Sequence, residues 1–230
     1  MIAYAGTVRT AWLDIKPKIV YTNHTMTLAN DVNPLLLDLP HEILTPRLIL
    51  RKPRIGDELF INPAIVESFS EISKWLPWAK TLQTEEESKL FIRQKIVAWE
   101  ARTDLYFPVI RKHDEQFLGA VGLFRIDWKI RNFEIGYWLR SSAEGHGYMT
   151  ETVIAITRFV FEALEGNRLE LRCDSQNTRS AAVATRLGFE LEGKLRRDSL
   201  TPDLKQRRDT LVYSRLGTEN LPELKTELRY

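Results

Sequence analysis

The chain holds a single cysteine, Cys173, among its 230 residues, so an internal disulfide and a four-thiolate metal site are both excluded. Its histidines are His24, His41, His113 and His146, and no two of them have metal-ligand spacing. No apolar run approaches the roughly 18 residues of a membrane span. A secretion signal needs an uninterrupted apolar segment, and Arg9, Asp14, Lys16 and Lys18 stand in its place. An excess of one charge is missing too. Lys and Arg number 33 against 31 for Asp and Glu, a net of +2, which gives no general pull toward nucleic acid or a membrane. There are no internal repeats. What is present is ordinary globular composition, 43% hydrophobic and 28% charged, in a length that suits one α/β domain in the cytoplasm.

Three parts are expected: an extension over 1–40 with no readable role, a domain over 41–218 and a C-terminal tail over 219–230. Apolar and charged residues alternate through Thr45-Pro46-Arg47-Leu48-Ile49-Leu50-Arg51, which predicts a first strand. Asp57 is placed to cap a helical region that Asn62-Pro63 should interrupt, followed by the rigid loop Trp75-Leu76-Pro77-Trp78. Thr84-Glu85-Glu86-Glu87 reads as a capping box opening a long helix to about Arg102, with Leu90, Phe91, Gln94, Val97 and Ala98 along one face. The period then switches to two. Tyr106 to Ile110, Phe117 to Ile126 and Arg131 to Leu139 form an antiparallel meander, with Gly119, Gly122 and Gly136 marking bulges or close backbone approach. A helix from Tyr148 to Leu164 ends at Gly166-Asn167. A strand from Leu169 to Cys173, a helix from Arg179 to Leu187 and strands at Phe189 to Leu195 and Thr210 to Leu216 follow. The Cys173 setting reads as a packed core thiol. The fold class is α/β (α+β), with one mixed, mostly antiparallel sheet flanked by helices in the order βααβββαβαββ.

Between the third meander strand and the next helix lies Gly145-His146-Gly147. The first N–H groups of a helix have no internal partners, and the helix dipole adds about half a positive charge there. Glycines let such a loop curl so that consecutive N–H groups converge on one anion, most naturally a phosphate or pyrophosphate. The loop is neither a dinucleotide fingerprint, which wants a third glycine, nor a P-loop, which wants Lys then Ser or Thr.

Taken in order, several segments resemble the GNAT superfamily of N-acetyltransferases, in particular its RimJ/RimL branch. They are residues 45–51, Trp75-Leu76-Pro77-Trp78, Glu134-Ile135-Gly136-Tyr137-Trp138-Leu139, Gly145-His146-Gly147-Tyr148-Met149-Thr150-Glu151, Asn177-Thr178-Arg179-Ser180, Leu187-Gly188-Phe189 and residues 208–214. The resemblance implies acetyl-CoA as cosubstrate, without a metal, its pyrophosphate on the backbone of Gly145, His146, Gly147, Tyr148, Met149 and Thr150. It places the pantetheine arm beside Trp138, Leu139 and Arg140, with Asn177 anchoring that arm. In two positions the chain departs from the superfamily pattern: Glu144 stands where Gln or Arg is usual, and Met149 where Gly or Ala is usual. A carboxylate beside a pyrophosphate is unfavourable unless it points away.

The resemblance makes Glu134 the candidate base, directly or through water, with a structurally bonded strand glutamate as the competing reading. Many relatives protonate the leaving sulfur with a tyrosine four residues before the glycine of the Gly-Phe pair, and that position here is Ala184. The RimJ/RimL pattern points instead to Ser180 as a stabiliser of the leaving thiolate, against the alternative of a helix cap. Trp75 and Trp78 are expected to wall the acceptor site. His146 is expected to present its backbone only. Arg196, Arg197, Arg207 and Arg208 form a basic stretch, but interspersed Asp198, Asp203 and Asp209 favour a solvated face. The acceptor reads as an amine on a protein N-terminus or a small molecule. Alternatives are a silent acyl-CoA-binding module and, less consistent with the charge balance, an RNA-binding protein. A homodimer is compatible with the sequence.

Overall fold

The computed structural model describes residues 33–230, so most of the expected extension lies outside the described residues. The last part of that segment belongs to the domain: Leu39 is buried in the core and Arg102 Nη2 donates to the Leu37 carbonyl at 2.9 Å.

One sheet organises everything. Its strands are β1 (Glu42–Leu44), β2 (Leu48–Arg51), β3 (Leu105–Arg111), β4 (Phe117–Asp127), β5 (Asn132–Leu139), β6 (Arg168–Asp174), β7 (Glu190–Leu200), β8 (Arg207–Arg215) and β9 (Glu227–Arg229). The order across the sheet is β7-β8-β6-β5-β4-β3-β2-β1-β9. Every pairing is antiparallel except β5 with β6. The helices are α1 (Glu58–Ile72), α2 (Glu85–Glu100), α3 (Tyr148–Arg158) and α4 (Thr178–Arg186).

Two strands were not expected. Thr45, Pro46 and Arg47 form a turn rather than the start of a strand, and β1 precedes them as the other arm of a hairpin with β2. The expected C-terminal tail returns to pair β9 with β1. Both strands are only three residues long, too short for alternation to announce them. In α1 the helix continues through Pro63. The proline is exposed, so the Leu59 carbonyl that it leaves unpaired lies on the solvent side. Asp57 does not cap with its side chain. Its carboxylate instead accepts Arg51 Nη1 and Nη2 at 2.9 and 2.6 Å and the Arg54 N–H at 2.9 Å. The Thr84–Glu87 capping box is formed as expected. The buried face of α2, however, is Ser88, Ile92 and Trp99, while Leu90 and Val97 are exposed. The helix that follows the glycine loop changes to a π-turn over Phe159–Ala163, and the Gly166 N–H closes it on the Val160 carbonyl.

Each face of the sheet has its own core. Phe133, Ile135, Leu169 and Leu171 pack on the α3 and α4 side, while Tyr106, Ala120 and Trp138 pack under α1 and α2. Alternation along β5 therefore sends Phe133, Ile135, Tyr137 and Leu139 to one face and Glu134, Gly136 and Trp138 to the other.

The N-terminus of α3 is held by a contact across more than a hundred residues. The buried carboxylate of Glu151 accepts Thr45 Oγ1 at 2.6 Å, the Arg47 N–H at 3.1 Å and Arg47 Nε at 2.6 Å. Removing it takes the acceptor from three buried or half-buried donors of the 45–47 turn. Glu151→Ala is expected to cost about 2 to 3 kcal/mol in urea unfolding, and Glu151→Gln, which keeps one acceptor, about half of that. An Ala variant within about 0.5 kcal/mol of the parent would show that the clamp contributes nothing.

Candidate active site

The parallel ladder between β5 and β6 runs only from the pair Asn132 and Arg168 to the pair Ile135 and Leu171. Beyond it β6 stays with β8, whereas among the described residues Gly136–Leu139 keeps only its β4 neighbour. A cleft of about 740 Å³ opens at this splay. Tyr137, Trp138 and Leu139 form one wall, α4 the other, and the 145–150 loop closes one end.

The loop curls so that its main-chain N–H groups are left unbonded. Gly145 and Gly147 adopt φ of +79° and +76°, the left-handed region that favours glycine. From Gly145 to Thr150, no backbone N–H donates to another group of the described chain. The first turn of α3 thus offers a run of free amides at the positive end of its dipole. Gly145, Gly147, Tyr148, Met149 and Thr150 line the cleft. His146 does not: its ring stacks on Tyr148 and its Nδ1 lies 2.8 Å from the Glu144 carbonyl, so only its backbone faces the loop's task. Arg47 braces the loop from behind, donating to the His146 carbonyl at 3.0 Å and lying over the Tyr148 ring at 4.6 Å. Met149 is accommodated by burying its side chain in the core. Glu144 is also accommodated. Arg179 Nη1 from α4 donates to its carboxylate at 2.6 Å, a pairing across the cleft mouth that offsets the negative charge beside the cradle.

Arg140 is not available to a ligand in this arrangement. Its guanidinium binds Glu67 of α1 and the Phe117 carbonyl, and its N–H donates to the Leu118 carbonyl. The ion pair pulls the Glu67 carboxyl down to about 2. A basic residue next to a cofactor motif is easily credited to the cofactor; here α1 claims it.

On α4, Asn177 is the N-cap, its Oδ1 accepting the Ser180 N–H at 3.1 Å. That leaves the Nδ2 amide for a ligand. The Ser180 hydroxyl is therefore free of capping duty, and it sits 3.1 Å from the Tyr137 hydroxyl inside the cleft. Trp75 and Leu76 wall the same cleft from the α1–α2 loop, and Trp78 supports the wall edge-on against Trp138 at 6.1 Å between ring centroids. Arg208, read as part of a solvated stretch, is instead mostly buried. It donates to the Trp75 carbonyl at 3.2 Å and pairs with Asp174 at 3.4 Å, bolting the β7–β8 hairpin to the tryptophan loop.

Glu134 stays outside the cleft lining. It lies on the Trp138 face of β5, with Gly136 between them, and the Phe124 ring covers that glycine so closely that a Cβ would sit 2.7 Å from it. Burial is the main influence on the Glu134 carboxyl and raises its pKa above the usual carboxylate range. Arg125 Nη1 opposes this from 3.0 Å. Arg125 reaches it from a β-bulge, with φ of +47°, an uncommon conformation for a residue with a side chain. Among the described residues no group of His, Cys, Asp and Glu is arranged to hold a metal. Tyr137, Arg125, Arg179 and the Arg47–Glu151 clamp were not singled out from the sequence. Only the acidic residue in the first helical turn after the glycines carried a signal of its own.

Comparison with known proteins agrees with this geometry. Residues 47–190 match the family model described as acetyltransferase (GNAT) domain. The chain is similar to the ribosomal-protein-serine acetyltransferase of Escherichia coli (strain K12), 26% identical over 141 residues, which span 61% of this chain and 76% of that protein. It is also similar to the uncharacterized N-acetyltransferase p20 of Bacillus licheniformis, 33% identical over 156 residues, 67% of this chain and 85% of the relative. Among solved structures, that of RimL, the ribosomal L7/L12 alpha-N-protein acetyltransferase in complex with coenzyme A, superposes with a TM-score of 0.70 at 20% identity, covering 76% of this chain and 97% of that one. A splayed sheet that ends in a cradle of free amides is what a coenzyme A thioester requires, and the chain belongs to the GNAT family of acetyl-CoA-dependent N-acetyltransferases.

Proposed function

We propose that the protein acetylates the α-amino group of a protein N-terminus in the cytoplasm, with Glu134 accepting a proton through water and Ser180 stabilising the leaving thiolate. The observation that carries the reading is the continuous path from the free amides at 145–150, along the unpaired edge of β5, to the Tyr137–Ser180 pair. In this reading the pyrophosphate of acetyl-CoA takes the amides, the pantetheine arm adds to β5 like a strand, and the thioester reaches Gly136. The amine nitrogen attacks the thioester carbonyl, a C–N bond forms, and the C–S electron pair departs to sulfur. The amine proton passes to water and Glu134.

The choice of acceptor rests on chemistry and on the relatives named for ribosomal proteins. An α-amine with a pKa of about 7.7 to 8.0 is about a tenth neutral near pH 7, whereas a lysine amine at about 10.4 is neutral roughly once in a few thousand. A base that acts at one remove, behind Phe124, suits the less demanding acceptor. A small-molecule amine remains the second reading in the same chemistry. Glu144, one of the departures that would favour a silent module, is paired by Arg179 and so does not count against coenzyme binding.

Thiol release from acetyl-CoA, measured across an acceptor panel, tests the assignment. Peptides with a free N-terminus should turn over and their N-formylated versions should not; turnover only on small amines would overturn it, as would coenzyme binding without turnover on any acceptor.

Glu134→Gln should lower kcat/KM at pH 7 by at least about tenfold and remove the enzyme's ionisation from the acid limb of the pH profile, leaving the limb set by the acceptor amine at about 7.7 to 8.0. Because burial raises the folded pKa, the fold favours the neutral carboxyl. Its stability contribution is present below the unfolded value of about 4.3 and is lost as pH rises through the folded value. The neutral amide avoids that loss, so the melting temperature at pH 7 should not fall. Loss of both activity and stability would make Glu134 structural.

Arg179→Ala should weaken coenzyme A binding about fivefold by calorimetry, Glu144→Gln should tighten it, and the double variant should return close to the parent. Equal affinities across the four proteins would show that neither charge is felt at the cradle.

A further inference from the structure

Ala184, fully buried on α4, leaves the helix without the hydroxyl that the leaving sulfur would meet there. Another hydroxyl stands close by. Tyr137 comes from the stretch of β5 that has lost its β6 partner, and its Oη lies 3.1 Å from Ser180 Oγ and 3.5 Å from the Ser180 carbonyl. Both residues line the cleft. Burial pushes the Tyr137 phenol well above its ordinary range, so at neutral pH it keeps its proton.

A serine hydroxyl has one proton and two lone pairs. Beside a protonated phenol, its oxygen can accept, and its own proton is then left for another partner. A negative sulfur in the cleft fixes that direction, since the hydrogen bond to a charged acceptor is roughly twice as strong as a neutral one. We propose that Tyr137 is a positioning residue for Ser180: its hydroxyl donates to Ser180 Oγ and so orients the serine proton toward the leaving thiolate. The strand thereby supplies what α4 lacks. The inference rests on the Ser180 role proposed above. No net proton transfer from Tyr137 is involved. The C–S electron pair goes to sulfur, the two hydroxyls stabilise it by hydrogen bonding, and the thiolate takes its proton from water on release.

The test is a four-protein cycle of parent, Tyr137→Phe, Ser180→Ala and the double variant, with acetyl-CoA, a peptide with a free N-terminus, and calorimetric coenzyme A affinity. Tyr137→Phe should lower kcat about 3- to 10-fold while the KM for acetyl-CoA moves by less than about threefold. The double variant should be no slower than Ser180→Ala within about twofold, because a residue acting through another has nothing left to act on. Multiplicative losses, an unchanged Tyr137→Phe beside a slow Ser180→Ala, or a Phe variant whose defect is confined to coenzyme affinity would each overturn the inference. An unchanged Ser180→Ala would overturn the serine reading itself, a separate and recognisable outcome. Incorporating 3-fluorotyrosine at 137 keeps the shape and sharpens the donor, so kcat should hold or rise whether or not the Phe variant folds; a fall would count against the proposal.

Discussion

The buried carboxylate of Glu151 is the contact on which the site depends. It stands in the first turn of α3, where the dipole favours negative charge, and its oxygens gather the Thr45 hydroxyl and both the N–H and Nε of Arg47. One side chain thus joins the opening hairpin to the helix that carries the cradle. Arg47 extends the same link to the His146 carbonyl and the Tyr148 ring. A row of free N–H groups is useful to an anion only if it is held open, because a frayed first turn would let them turn to nearby carbonyls or to water. The clamp supplies that preorganisation from outside the loop. It also explains why a Thr-x-Arg turn far upstream belongs to the same functional pattern as the glycines.

The early end of the β5–β6 ladder does the rest. Past Ile135, the strand has a bare edge on one side and a different chemistry on each face. Period two puts Glu134 and Tyr137 on opposite faces of β5. In the proposed reaction, proton removal from the amine and charge stabilisation on sulfur therefore occur on opposite sides of one strand, with the thioester edge-on between them. The groups destined for opposite tasks never compete for the same hydrogen-bond partner. Electrostatics follows the same division. The charged groups around Glu134 are Arg125 from β4 and Glu170 and Arg172 from β6, whereas the side-chain partner of the Ser180 hydroxyl is the neutral phenol of Tyr137.

Much of this was legible in the sequence, and the failures have physical reasons. The long periodic segments read well: the meander, the capping box at Thr84, the cradle and the paired β7 and β8 all stand near their expected positions. The strands of three residues, β1 and β9, were invisible because they hold too few alternations to register. Pro63 misled because a proline on an exposed helix face costs only a solvated carbonyl. On α2, Leu90 and Val97 looked like a core stripe, yet tertiary packing selected Ile92 and Trp99. In the site, several residues named from motifs line the cleft, but their partners from other segments were not foreseen. Arg179 meets Glu144, Arg208 meets Trp75 and Tyr137 meets Ser180 only after the chain has folded. A single sequence records what each side chain is and leaves unsaid whom it will face.

The two margins of the sheet carry a last consequence. At one end β9 is a three-residue strand bearing Glu227 and Arg229; at the other β7 is long but broken twice in register, turned by Arg197 at φ of +55°, and studded with charges from Glu190 to Asp198. Unpaired strands invite neighbours, and kinks and charges of both signs refuse them. Among the described residues, both margins thus disfavour growth by strand addition into continuous ribbons.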